Sequence, residues 1–236
     1  MLFYCESLSG TLPLRKIVSM ATLLCIETAT TNCSVALGVD GHLVALKEDL
    51  GQNFSHAERL HVYIEQLLKE AKVSMSALDA IAISKGPGSY TGLRIGVSAA
   101  KGLCFSLGIP LISVPTLQSL AQQATAPNTI VVPMLDARRM EVYSEVYTTD
   151  GNRLRETKAE VLTEDSFSAY ISEDITFIGT GAAKFQPLSK HSHATFITSL
   201  PSAKEMVPLA NQKFQAEAFE DVAYFEPFYL KDFIAG

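Results

Sequence analysis

The segment DAIAISKGPGSYTGLRIGVSAAKGLCFSLG (79–108) sets the terms for the rest of the chain. Its first part is a short apolar run bounded by Asp79 and Lys85, which reads as a buried strand. Gly86, Pro87, Gly88, Ser89, Thr91 and Gly92 then form a turn, and a helix is expected from about residue 92 to 107. A glycine turn entering a helix N-terminus offers free N–H groups and a positive dipole end, which suits anions. Two phosphate motifs fail here. A P-loop needs Lys-Ser/Thr after its last glycine, where this chain has Leu93-Arg94, and a dinucleotide fingerprint needs a glycine where Thr91 stands.

The helix itself is apolar on every side, with Arg94 and Lys101 as its only charges. Such a helix has to be covered on both faces. One face is expected on its own sheet and the other against a second protein. The bland alternative is that a second lobe or the last helix of the chain covers it. Gly92, Gly96 and Ala100, spaced four apart, are expected to let another helix approach closely.

Working outward, TLLCIET (22–28), CSVALGV (33–39) and HLVALKEDL (42–50) read as three strands, the last two joined by an Asp40-Gly41 hairpin turn. A helix over 55–72 opens on a Ser55/Glu58 capping box and carries the stripe Leu60, Tyr63, Ile64, Leu67, Leu68, Ala71. LISV (111–114) is a strand and 116–124 a helix. The order then repeats without its sequence: strands at 129–137, 140–147 and 153–162, a helix near 164–171, a strand at 175–179 and a helix near 182–190. A duplicated α/β unit explains that order, giving lobes over 20–125 and 126–236. A final helix, 203–219, has a Ser202/Glu205 capping box and an internal Pro208 expected to kink or split it. The pattern leaves open which lobe it packs on.

Of the 236 residues, 47% are apolar and the formal net charge is −6, which suits a cytosolic protein and offers no basic footprint for independent nucleic-acid binding. No apolar stretch approaches the roughly 20 residues of a membrane span. Residues 1–19 lack periodicity and a signal-peptide pattern, and are expected to be an extension or a start-site artefact. Cys5, Cys25, Cys33 and Cys104 show no paired spacing and read as reduced thiols.

Catalytic patterns are sparse. His56 and His61 are five apart on a helix, so they point about 140° away from each other. His191 and His193 read as solvated surface residues, and neither HExxH nor GxSxG occurs. No metal ligand set, cofactor or catalytic residue is expected.

Three segments, IETATTNCSVAL (26–37), GPGSYTGLRIG (86–96) and EPFYLKDF (226–233), together resemble the bacterial TsaB family, also called YeaZ. The resemblance runs from about Met20 to the C-terminus. It implies an actin-like fold of two related lobes. It also implies an accessory role in making N6-threonylcarbamoyladenosine at position 37 of tRNAs that read ANN codons, beside a catalytic paralogue of the TsaD type and a TsaE-type ATPase. Homodimers through the same surface are a further implication, with tRNA met only within the complex. The catalytic paralogue carries an HxxxH metal pair, and its two positions fall here on Thr116 and Leu120. Neither side chain replaces an imidazole ligand.

The family's partner interface is a bundle of the two helices flanking the signature loop. Carried onto this chain, it predicts partner-facing positions among Leu60, Tyr63, Ile64, Leu67, Leu93, Val97, Ala100 and Cys104, beside the loop residues Gly86 to Gly92 and Arg94. The alternative is an actin-like enzyme acting on its own, a kinase or carbamoyltransferase. It rests on Glu27 and Asp136, one at the end of each lobe's first strand, and on the GTGA turn (179–182). A peptidase is weaker still, since no nucleophile or zinc site is present in the sequence.

Overall fold

The computed structural model of the chain describes residues 20–49, 56–125 and 130–231. Ser55, half of the predicted capping box, lies outside the described residues, as do Cys5 and the expected extension over 1–19. The first lobe runs β1 (Thr22–Glu27), β2 (Cys33–Val39), β3 (His42–Asp49), α1 (His56–Ala71), β4 (Ala80–Ser84), α2 (Tyr90–Leu107) and β5 (Leu111–Val114). Its sheet has the order β3-β2-β1-β4-β5, antiparallel across the first three strands and parallel beyond.

After α3 (Thr116–Ala121), the second lobe runs β6 (Ile130–Asp136), β7 (Glu141–Thr148), β8 (Arg153–Val161), β9 (Ile175–Ile178), α4 (Ala182–Phe185) and β10 (Ala194–Ile197). Its order is β8-β7-β6-β9-β10, again antiparallel for three strands and parallel beyond. The duplication read from the strand order is therefore a repeated topology, the mixed five-stranded sheet of actin-like proteins.

The second lobe keeps the sheet and sheds most of the helix. The helix expected near 164–171 is a 3-10 turn over Ser168–Tyr170, preceded by Phe167 at φ 61°, a left-handed angle no helix continues through. The one near 182–190 is the single turn α4. β10 was missed, because ATFI is short and follows a polar loop. His191 corrects the expectation of a solvated surface residue. It is buried in the aromatic cluster of Phe167, Phe177, Phe185 and Phe196, and its Nε2 donates to the Phe167 carbonyl at 3.0 Å. His193 is exposed, as read.

The helices do not follow the lobe boundary. α3 leaves the first lobe and packs on β6 and β7, burying Leu117, Leu120 and Ala121 with Val131, Leu135 and Ile178. The last helix, α5 (Ala203–Gln215), leaves the second lobe and packs on the first sheet. Its Met206, Val207 and Ala210 meet Leu23, Cys25 and Ala36. Gly38 makes room for it, since a Cβ there would stand 2.5 Å from Val207. So the helix after each lobe's fifth strand covers the other lobe's sheet.

Pro208 does not split α5, which runs unbroken. It lies on the exposed side of the helix, so the Lys204 carbonyl that loses its i+4 donor is on the side open to water. Ser202 caps the helix by accepting from Lys204 N at 3.3 Å, while Glu205 is engaged by Gln123 and Lys204 instead of reaching back as a capping box would. No helix among the described residues is long and apolar enough to cross a membrane.

Candidate partner-docking site

The glycine turn is built against the chain that follows β1. Ser89 N donates to the Ala29 carbonyl at 2.7 Å, and Ser89 Oγ caps α2 by accepting from Gly92 N at 3.3 Å. A Cβ on Gly88 would stand 2.5 Å from the Ala29 carbonyl oxygen, and one on Gly92 2.2 Å from that of Thr28. Gly96 continues the row, with Thr28 Oγ1 2.2 Å from where its Cβ would be. These glycines let α2 lie on the end of its own sheet. That corrects the expectation that Gly92, Gly96 and Ala100 form a seam for a foreign helix. It also argues against an anion cradle, because the Ser89 and Gly92 N–H groups are occupied and two carbonyl oxygens crowd the turn.

Gly86 sits at φ 108°, a conformation glycine adopts freely. Its N–H donates to Thr116 Oγ1 and its carbonyl accepts from Thr116 N, both at 3.1 Å. Thr116 and Leu120, the positions of the paralogue's metal pair, are both fully buried. Among the described residues no three of His, Cys, Asp and Glu are grouped so that they could hold a metal ion.

Seven of the eight predicted partner-facing residues belong to the first lobe's own core. Leu60, Ile64, Leu67, Leu93, Val97, Ala100 and Cys104 are at most 4% exposed. Most of them cluster with Leu24, Ile26, Val35 and Ile83 of the sheet. Tyr63 is half-buried at the edge, its hydroxyl accepting from Arg59 at 3.2 Å. The expectation for these residues is corrected: the periodic stripe marks the face each helix turns to the sheet, because that burial is what the period records.

Beside that core, the first turns of α1 and the exposed side and flank of α2 form an open groove of about 760 Å³. Its walls include His61 from α1 and Ile95, Ser98, Ala99, Gly102 and Leu103 from α2, with Tyr90, Thr91 and Arg94 of the signature segment at one end. Phe105 on the same helix is 87% exposed, and a Cβ on Gly102 would meet nothing within 4 Å. Small side chains beside exposed apolar ones make a surface of low relief, the kind on which a helix packs closely. The glycine stripe marks the inner face, and about half a turn away stand Arg94, Ser98 and Phe105, all exposed.

The third resembling segment closes one end of this site. Phe228 N donates to the Lys85 carbonyl at 2.7 Å, Tyr229 packs at a tilt on Tyr90 with ring centroids 4.8 Å apart, and Lys101 Nζ donates to the Ala223 and Phe225 carbonyls. The C-terminal tail is thus held along α2 and the signature turn.

The carboxylates behind the enzyme reading are placed differently. Glu27 is fully buried, and its Oε1 accepts from Ala29 N at 2.6 Å and Ser84 Oγ at 2.9 Å. Burial pushes its pKa up to about 7. Asp136 is exposed and paired with Lys184 at 2.5 Å, and Thr180 of the GTGA turn accepts from its N–H. A polar cleft between the lobes, lined in part by Asn32, Glu48, Gln123, Thr180 and Glu205, does not include either carboxylate. Among the described residues the three thiols are buried, which raises Cys25 to about 12 and Cys33 and Cys104 to about 11 and disfavours the thiolate.

Two topologically identical lobes with crossed helices define an actin-like protein with an apolar groove on its first lobe. A family model described as "TsaD: tRNA N6-adenosine threonylcarbamoyltransferase" matches residues 53–236. The tRNA threonylcarbamoyladenosine biosynthesis protein TsaB of Escherichia coli (strain K12) is 34% identical over 223 residues, 90% of this chain and 96% of that one. The protein of the same name from Haemophilus influenzae is 31% identical over 226 residues, 89% and 94% of the two chains. A solved YeaZ from Pseudomonas aeruginosa is 32% identical and superposes with a TM-score of 0.75 over 89% of this chain and 100% of its own. The chain belongs to the TsaB (YeaZ) family.

Proposed function

We propose that the chain is a non-catalytic subunit in the synthesis of tRNA N6-threonylcarbamoyladenosine, docking a TsaD-type transferase through the outer face of α1 and α2. The observation that carries this reading is the groove itself. Phe105 stands 87% exposed on the outer side of α2, and the half-buried Ile95, Ala99 and Leu103 line the groove while packing inward on the core. Exposed apolar patches of this sort mark protein contacts. A second copy of the chain is the alternative occupant of the same face, and a TsaE-type ATPase would join the assembly elsewhere. In favour of an accessory role, Thr116 and Leu120 are buried where the paralogue has its histidine pair, and the Thr116 hydroxyl already serves Gly86.

The enzyme reading keeps one support of its own, since the family model that matches carries a transferase's description. Reconstitution separates the two. Threonylcarbamoylation is measured with a TsaD-type subunit, a TsaE-type ATPase, threonylcarbamoyl-adenylate, ATP and tRNA, with and without the chain. Modification that needs the chain, with none from the chain alone, supports the accessory role. Modification by the chain alone refutes it.

A further inference from the structure

The turn between β6 and β7 carries two consecutive arginines in left-handed conformations, Arg138 at φ 72° and Arg139 at φ 49°. Such angles disfavour any residue with a Cβ, so the turn is held by its surroundings. Arg138 N donates to Asp136 Oδ1 at 2.6 Å, Glu141 N to the Arg138 carbonyl at 3.1 Å, and Lys184 Nζ to the Arg139 carbonyl at 2.5 Å. The backbone is fixed while both guanidinium groups are exposed, and neither has a carboxylate partner among the described residues. The acids beside them are already neutralised, Asp136 by Lys184 and Glu141 by Lys231.

That second ion pair ties the turn to the C-terminal tail, and the tail leads to α2. Tyr229 packs at a tilt on Tyr90, and the Arg94 guanidinium lies 5.0 Å from the Tyr90 ring centre. Tyr224, Phe228 and Met140 add exposed apolar surface along the same path. The strip gathers five cationic groups, Arg94, Arg138, Arg139, Lys184 and Lys231, against the carboxylates of Asp136, Glu141 and Glu226, on a chain whose net charge is −6. Unpaired guanidinium groups interleaved with exposed aromatic rings are what an unpaired nucleic-acid loop needs: cations for phosphates and flat faces for bases.

We infer that the strip from the Arg138-Arg139 turn across the tail to Arg94 is a binding site for an unpaired RNA loop. It rests on the accessory-subunit reading for its RNA, since that substrate is the tRNA of the assembly. The strip adjoins the docking groove at Tyr90 and Arg94, so an RNA on a partner seated in the groove lies beside it.

The test uses the complex of the full chain with a TsaD-type subunit and fluorescently labelled unmodified tRNA, titrated by anisotropy at several salt concentrations. R138N/R139N keeps a residue type that tolerates the left-handed region. It is expected to weaken tRNA binding about tenfold and to lower the salt slope by about 1.4, for two lost phosphate contacts. R138K/R139K, which keeps the charges, is expected to retain most of the affinity. An unchanged affinity and slope in R138N/R139N overturns the site. So does loss of the TsaD-type subunit from R138N/R139N, which would make the strip a protein contact. Failure of the accessory reading is seen separately, as modification that proceeds without the chain.

Discussion

The carbonyl oxygen of Thr28 stands 2.2 Å from the place a Cβ on Gly92 would occupy. That contact decides which way α2 faces. With its glycine stripe pressed on the end of β1, the helix turns Arg94, Ser98, Gly102 and Phe105 outward, and the first three line the groove.

Two glycines of α2 are therefore expected to respond oppositely to alanine. Gly92→Ala meets a backbone atom that cannot swing aside, and should destabilise the chain by about 1–3 kcal/mol. Gly102→Ala enters open space in a helix interior and should stabilise by about 0.5–1 kcal/mol. Urea unfolding of the two variants checks both signs.

Core truncation should lower stability without touching partner affinity in the folded fraction. Leu60→Ala, at a fully buried position, is expected to cost about 2–5 kcal/mol. Val97→Glu places a charge in the same core and should unfold the lobe, so it cannot report on docking. Circular dichroism melts beside a pull-down with the transferase subunit distinguish loss of fold from loss of contact.

Glu27 gives the chain a pH dependence of known sign. Its pKa is raised by burial from about 4.5 unfolded to about 7 folded, so the folded state holds the extra proton between those values. Stability is full below about 4.5, falls as pH rises to about 7 and is flat above, a total of about 3 kcal/mol. Glu27→Gln keeps an acceptor for Ala29 N and Ser84 Oγ and should flatten that slope. Denaturant melts at pH 5 and pH 8 measure it, and an equal slope in both proteins would assign it to other groups.

Thr116→Val removes the acceptor for the Gly86 N–H while keeping the side chain's shape. A buried donor left without a partner costs about 1–3 kcal/mol, which thermal unfolding would detect.

Much of this was legible in the sequence. The strand order, read as a duplication, gave both sheets apart from β10. Punctuation by Asp40-Gly41 and Ser202 marked real ends, and the end of α2 expected near 107 is made by a left-handed glycine cap, Gly108, whose N–H reaches the Cys104 carbonyl. What failed was face assignment. Leu60, Ile64, Leu67, Leu93 and Val97 were read as partner-facing because helical period reports burial without saying against what. The tail is the other gap: EPFYLKDF has no periodicity, and only the fold brings Phe228 to Lys85 and Tyr229 to Tyr90. Burial of His191 was equally hidden, since its partner is a main-chain carbonyl 24 residues away.

The most direct test of the docking face is a calorimetric titration of the chain with a TsaD-type subunit, using wild type, Ser98→Glu and Glu70→Ala. Ser98 is exposed and lies in the groove, while Glu70 is an exposed α1 residue outside it. The account predicts wild-type binding for Glu70→Ala and at least a hundredfold loss for Ser98→Glu with its melting temperature unchanged, as expected when a charge is placed in a desolvated contact. Full affinity in a folded Ser98→Glu would contradict it and move the docking surface elsewhere on the molecule.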